Sequence, residues 1–395
     1  MRDQKISRSV PMKGHPDYIP ALDGIRGLAI ILVLIIHLTL QSHPHTQSLL
    51  LNAVIGFCNL GWAGVDLFFV LSGFLITGIL YDGVDRPSFF RNFYARRFLR
   101  IFPLYYASLL VLLLLSGPLG IGWHGSQFIL LGYLQNVAPL RAAIPATVFQ
   151  YTGHFWSLAV EEQFYLVWPC LVFLIRDRKK LIITALTLAA MAPILRTTIL
   201  LTHIVSRYEC YEFTLCRMDS LLIGSALALA IRGPARSMVL KFSPAVFPLL
   251  LFVCIGFQVW VTNGNNLVAG HGDFFYTVGF TPLAVSFAAL VGCALRPRSL
   301  TGHIFQNATL RWFGRHSYGI YIMHFIFLNT SFIGKFPRLF LETKFHSELL
   351  GVVLGGIPAL LITLICAWLS YRYYEGPFLR LKRHFQARVQ PGTSA

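Results

Sequence analysis

Ten stretches of this chain stay apolar for about the thickness of a lipid bilayer. A helix needs roughly 20 mostly apolar residues to cross the hydrocarbon core. The qualifying segments are 22–40, 63–81, 98–116, 155–175, 181–202, 213–231, 243–262, 275–295, 312–334 and 349–370. Runs of this length specify helices, because barrel strands would be shorter and alternate apolar with polar residues. The expected fold is an all-α polytopic membrane protein of about ten transmembrane helices. Residues 117–154 are apolar but broken by Gly and Pro, and a re-entrant or an interfacial course is open for them.

Charge supports the same class. Only 12% of residues are charged, against about 25% in soluble domains, and the apolar content excludes a disordered chain. The net charge of +17 invites a nucleic-acid partner until the charges are placed. With the N-terminus in the cytoplasm, 25 of the 33 Lys and Arg fall on inner segments and six on outer ones; Arg26 and Arg196 lie inside spans. That asymmetry is the positive-inside pattern. It predicts an even number of spans with both termini cytoplasmic, and no nucleic-acid binding. The expected organisation is a cytoplasmic tail at 1–17, a membrane domain at 18–380 and a second cytoplasmic tail at 381–395. The first span follows a polar lead and carries Arg26 and His37, unlike the apolar core of a cleavable signal. The seven cysteines form no CxxC pair and have no zinc-site spacing, so no metal site is expected. Cys210 and Cys216 share an outer loop, where a disulfide and two free thiols are both open.

Ionisable residues at membrane depth are costly and usually line a cavity or pair with one another. Arg26 and His37 are eleven residues apart. On a helix this is about 20° past three full turns, so both point to one face, about 16 Å apart along the axis. Each alone could be structural, Arg26 snorkelling and His37 bonded to a carbonyl; together they suggest a shared polar passage. Arg97 and Arg100, in FYARRFLRIFP, also share a face. They are either a positive-inside anchor or guanidinium ligands for a phosphate. Glu161 and Glu162, in HFWSLAVEEQFYLVWP, need partners in apolar surroundings. Glu161 is expected near the depth of His37, and two readings stand level for it: a structural pair with an Arg or His of another helix, or a carboxylate that orients the imidazole or holds its proton; Glu162 reads as structural. Weaker candidates are Asp66, which could pair with an Arg or cap its helix, and Ser72 beside Gly73, where close helix packing is the simpler reading. Arg217 and Asp219 could satisfy each other, His324 reads as a satisfied buried imidazole, and Glu375 is expected to pair with a basic residue. A neutral His37 in a cavity could deprotonate an acceptor hydroxyl for attack on a thioester, or carry the acyl group itself.

Several stretches, in order, carry a resemblance: LDGIRGLAIILVLIIH, GWAGVDLFFVLSGFLITGIL, FYARRFLRIFPLYY, FWSLAVEEQFYLVWP, RMDSLLIGSALA, GRHSYGIYIMHF and YRYYEGPF. The chain resembles the acyltransferase 3 family of multi-span membrane acyltransferases from residue 18 to about 380. The resemblance implies transfer of an acyl group, usually acetyl from acetyl-CoA as a co-substrate, to a hydroxyl of a carbohydrate or other cell-envelope or secreted acceptor. By it, Arg26 and His37 match the family's essential Arg-x10-His pair. Arg97 and Arg100 match its Arg-x-x-Arg motif at the CoA donor, and Trp156, Ser157 and Glu161 match its Trp-Ser-Leu-…-Glu motif. Some members carry a C-terminal hydrolase-like domain, which is not expected here. Either a separate periplasmic transferase or polysaccharide-assembly partner completes the reaction, or the membrane domain acts alone. The implied setting is the bacterial cytoplasmic membrane. A secondary transporter or lipid-linked-sugar flippase is the competing expectation, since buried charges suit that class as well.

Overall fold

A computed structural model describes residues 19–39, 58–261, 274–296, 299–345, 351 and 354–385. Among the described residues there is no strand. Ten longer helices carry the architecture: α1 (Pro20–Thr39), α2 (Ala63–Gly83), α3 (Phe89–Leu114), α4 (Trp156–Ile175), α5 (Arg178–Thr202), α6 (Thr214–Ala230), α7 (Arg236–Val261), α8 (Phe280–Ala294), α9 (Ala308–Asn329) and α10 (Ile357–Leu369). Nine segments among the described residues are long and apolar enough to cross a membrane. The exception is α9, whose apolar character is diluted by Arg311, Arg315, His316 and His324. The chain is thus an all-α polytopic membrane protein. Large apolar side chains such as Leu114, Leu174, Leu201 and Phe252 lie exposed on its outside, as a lipid-facing surface allows.

Local sequence sets several boundaries. Asp177 caps α5 by accepting from the Lys180 N–H at 2.8 Å, and Asn307 caps α9 by accepting from Thr309 N–H at 2.9 Å. Ser206 and Glu209 form a reciprocal capping box on the short helix Arg207–Glu212. The apolar stretch between α3 and α4 folds as four short helices, Ser116–Leu119, Ser126–Leu131, Ala138–Ala142 and Ala146–Thr152. Left-handed backbone at Gly120 (φ 63°) and Gly125 (φ 87°) breaks it into pieces. The final span also runs further than its apolar run suggests. Beyond Leu369 the chain continues through π-helical Ser370–Glu375, helix Gly376–Leu381 and a 3₁₀ turn at Lys382–Phe385.

Two glycine-mediated crossings organise the bundle. A Cβ on Gly27 would sit 1.9 Å from the Leu310 carbonyl oxygen, and one on Gly314 would sit 1.8 Å from that of Asp23. Helices α1 and α9 therefore touch backbone to backbone. A similar approach joins α2 to α6, where Gly73 faces the Leu221 carbonyl and Gly224 faces that of Val70. In lipid, where apolar surface gains little by changing neighbours, close packing of small residues drives helix association.

Buried ion pairs tie α2, α5, α6 and α8. Arg217 donates to Asp66 at 2.7 Å, and Asp66 also accepts from the Ser220 hydroxyl at 3.0 Å. Arg196 donates to Asp219 at 2.9 Å, and Asp219 accepts from Thr281 at 2.7 Å. This corrects the expectation that Arg217 and Asp219 satisfy each other: residues two apart on a helix do not face one another, and each finds its partner on another helix. Asp66 pairs with an Arg, one of its two expected alternatives. Cys210 and Cys216 are two buried thiols with their sulfurs 3.5 Å apart, without a disulfide.

Candidate active site

Helix α1 delivers two residues to two different polar centres. Near its start, Arg26 lines a cavity of about 600 Å³. Arg97 and Arg100 of α3, Arg315 of α9 and Lys382 of the C-terminal turn surround the same space. Asp23 is the carboxylate among the lining residues, and Arg315 approaches it at 3.8 Å. Arg26, Arg97, Arg100 and Lys382 form no ion pair with a carboxylate among the described residues. Along α2 the wall runs from Ser72 through Leu75 and Ile76 to Ile79, a drop of about 10 Å at 1.5 Å per residue. The cavity is therefore cationic at one end and largely apolar along its side. Arg97 lies over the Tyr165 ring at 5.6 Å and Arg100 over the Tyr318 ring at 6.0 Å, contacts that orient both guanidiniums. A second hollow at His303–Leu310 contains none of the predicted residues.

The deep end of the cavity is marked by Ser72, whose hydroxyl donates to Glu161 at 2.5 Å. Ser72 is therefore more than a packing residue; its neighbour Gly73 supplies the close approach. Glu161 lies within electrostatic reach of Arg26 and Arg97. Of its two readings, the structure shows Glu161 beside arginines, with its hydrogen bond to Ser72 and none to His37. Glu162 turns away around α4, with Arg97 within electrostatic reach and Oε1 without a hydrogen-bond partner among the described residues.

Near the end of α1, three histidines converge. His37 Nδ1 lies 2.8 Å from the Val33 carbonyl one turn back. A carbonyl can only accept, so the proton sits on Nδ1 and the Nε2 lone pair is left for chemistry. A bond to a carbonyl is one of the two readings the sequence left open for His37, and here it fixes the tautomer. His324 of α9 places its Nδ1 2.7 Å from the Tyr321 carbonyl, which fixes the same tautomer, and its Nε2 faces His37 Nδ1 at 3.4 Å. His324 is satisfied, as expected, and it also stands against His37. The third imidazole, His154, is 3% exposed, with its ring centroid 5.0 Å from that of His324. Among the described residues neither of its nitrogens makes a well-formed hydrogen bond; the Tyr321 and Ile322 backbone lies nearby.

Ser157 and Tyr321 lie between the two centres, their hydroxyls 2.6 Å apart, with Tyr321 within electrostatic reach of Glu161. The structure therefore brings Arg26, Arg97, Arg100 and Ser72 to one cavity and groups His37 with His324, about 16 Å along α1 from Arg26. Asp66 and Trp156 join neither centre. Asp66 holds Arg217, and Trp156 packs against Phe69 and Tyr211. Glu375 is 4% exposed and accepts from the Ser370 hydroxyl at 3.3 Å, where an ion pair with a basic residue was expected. Sequence reasoning missed His154, which precedes the fourth apolar run by one residue, and Lys382, which lies past the last run. The Ser157–Tyr321 link joins distant segments and has no local sequence signal.

Comparison with known proteins gives this geometry a context. A family model described as "Acyltransferase domain" matches residues 19–372. The chain is 29% identical to a putative peptidoglycan O-acetyltransferase of Bacillus subtilis, over 95% of this chain and 57% of that protein. It is 28% identical to a peptidoglycan O-acetyltransferase of Listeria monocytogenes, over 91% of this chain and 56% of that protein. It is 27% identical to an O-acetyltransferase of Staphylococcus aureus, over 98% of this chain and 61% of that protein. The chain thus spans little more than half the length of these relatives. No solved structure matches it.

Proposed function

The chain belongs to this acyltransferase family, and on that premise we propose that it is a membrane O-acyltransferase. It moves an acetyl group from cytoplasmic acetyl-CoA to a hydroxyl of a cell-envelope carbohydrate, in the bacterial cytoplasmic membrane. The names of the relatives favour peptidoglycan as the acceptor. The observation that carries this reading is the double placement made by α1: Arg26 in a cationic cavity and His37, with a fixed tautomer, in a histidine cluster.

In the proposed reaction, Arg26, Arg97 and Arg100 hold the phosphates of the donor, with the Arg-rich end of the bundle facing the cytoplasm. The acceptor hydroxyl gives its proton to His37 Nε2 while its oxygen attacks the thioester carbonyl. The new ester bond forms, the carbon–sulfur bond breaks, and the thiolate of CoA leaves, taking the proton from the His37 imidazolium and so restoring the base. The lone pair of His324 Nε2 faces the Nδ1–H of the imidazolium and stabilises it. Glu161, held by Ser72, balances the arginine charge at the deep end of the donor cavity. Transfer requires the thioester arm to reach from the cavity past Ser157 and Tyr321, whose hydroxyls are hydrogen-bonded to each other.

The test is mass spectrometry of muropeptides and other envelope glycans from cells with and without the protein. The expected result is loss of acetyl esters when the gene is deleted and recovery with the wild-type chain. Transport of a glycan by the purified protein without consumption of acetyl-CoA would replace this reading with the transporter one.

A further inference from the structure

Four cations of the donor cavity have no carboxylate within ion-pair distance among the described residues: Arg26, Arg97, Arg100 and Lys382; Asp23 and Glu161 act on Arg26 from further off, and Glu161 and Glu162 on Arg97. The first three are accounted for by the function proposed above. Lys382 is not. It arises from the 3₁₀ turn Lys382–Phe385, after the last membrane helix, where the chain folds back beneath the start of α3. Phe385 of that turn lies under the Arg91 guanidinium at 5.8 Å, which fixes the turn to the first residues of α3. Arg97 and Arg100 stand six and nine residues further along α3, about 9 and 13 Å deeper. Lys382 therefore guards the mouth. Its nearest charged company is Arg100, Arg97, Arg26 and Arg96. The carboxylate in reach, Glu375, is buried and bonded to Ser370. Among the described residues no carboxylate forms an ion pair with Lys382.

The position of Lys382 narrows the ligand. A diphosphate bridge brings about two negative charges, and a phosphate monoester adds about 1.5 to 2 more at neutral pH. With Glu161 and Glu162 already acting on Arg26 and Arg97, the three arginines are matched by the diphosphate, and Lys382, without an ion-pair partner among the described residues, is left for a monoester. In coenzyme A the monoester is on the ribose 3′ oxygen, at the opposite end of the molecule from the thioester. A donor that sends its thioester along the apolar wall toward Ser72 leaves its 3′-phosphate at the mouth. From this placement we infer that Lys382 reads the ribose 3′-phosphate of the donor, making the enzyme selective for coenzyme A over donors that lack this group. The inference rests on the donor reading above.

The test compares CoA with 3′-dephospho-CoA on the purified full chain in detergent, by calorimetric binding and by acetyl transfer from each thioester. A charge-assisted contact to phosphate predicts at least about tenfold tighter binding of CoA by the wild type. Lys382→Gln should bring the two ligands to within about twofold, while Lys382→Arg retains the preference. Arg97→Ala should weaken both ligands and keep their ratio. Equal binding of the two ligands by the wild type overturns the inference, and so does an undiminished preference in a folded Lys382→Gln protein. Failure of the wild type to bind either ligand, or to use either thioester, overturns the donor reading itself and this inference with it.

Discussion

The imidazoles of His37 and His324 meet edge to face, Nε2 of His324 lying 3.4 Å from Nδ1 of His37, with ring centroids 4.9 Å apart. One ring comes from α1 and the other from α9, and each is held in its tautomer by a backbone carbonyl of its own helix. An imidazole oriented in this way has its tautomer fixed without a carboxylate.

His37→Ala should lower acetyl transfer by about 10²- to 10⁴-fold, the range for loss of a general base, with membrane insertion and expression unchanged. An active, correctly inserted His37→Ala protein would remove His37 from the chemistry.

His324→Gln should reduce kcat by about tenfold, the equivalent of one lost hydrogen bond to a charged group. KM for the donor should be unaffected, because His324 stands outside the cationic cavity. A rise in KM alone would move its role from His37 to the donor.

The Ser72–Glu161 pair predicts a graded series. Glu161→Gln removes a charge facing Arg26 and Arg97 and should cost roughly 1.5–3 kcal/mol in transition-state binding, read as kcat/KM. Ser72→Ala leaves the carboxylate charged and should cost less. The reverse order would place the chemistry on the hydroxyl.

Asp66→Ala and Arg217→Ala should each destabilise the protein by about 3–5 kcal/mol, because each strands a buried partner charge. The double variant should lose less than the sum of the two. Thermal unfolding in a fixed detergent measures this, and simple additivity would mean that the pair is not coupled.

Much of this arrangement could be read in the chain before folding. The ten helices follow from run lengths, and the shared face of Arg26 and His37 from helical periodicity. What periodicity could not supply was distance between helices. Glu161 lies at a similar nominal depth to His37 but turns to Ser72 on α2. Arg217 and Asp219 are neighbours in sequence yet face Asp66 and Asp219's own partner Arg196 on different helices. His154 and Lys382 escaped because apolar runs end before the structure does. The first sits in a 3₁₀ turn and the second in a return segment with little hydrophobic signal.

The backbone contact through Gly27 and Gly314 has a mechanical consequence. Where two helices touch carbonyl to α-carbon, no side chains remain between them to slide or repack, so α1 and α9 behave as a single strut. That strut carries Arg26, His37 and His324 together. Under the proposed function, any breathing that admits a bulky donor or releases a product must then come from its neighbours, α3 and the C-terminal return, swinging against a fixed post.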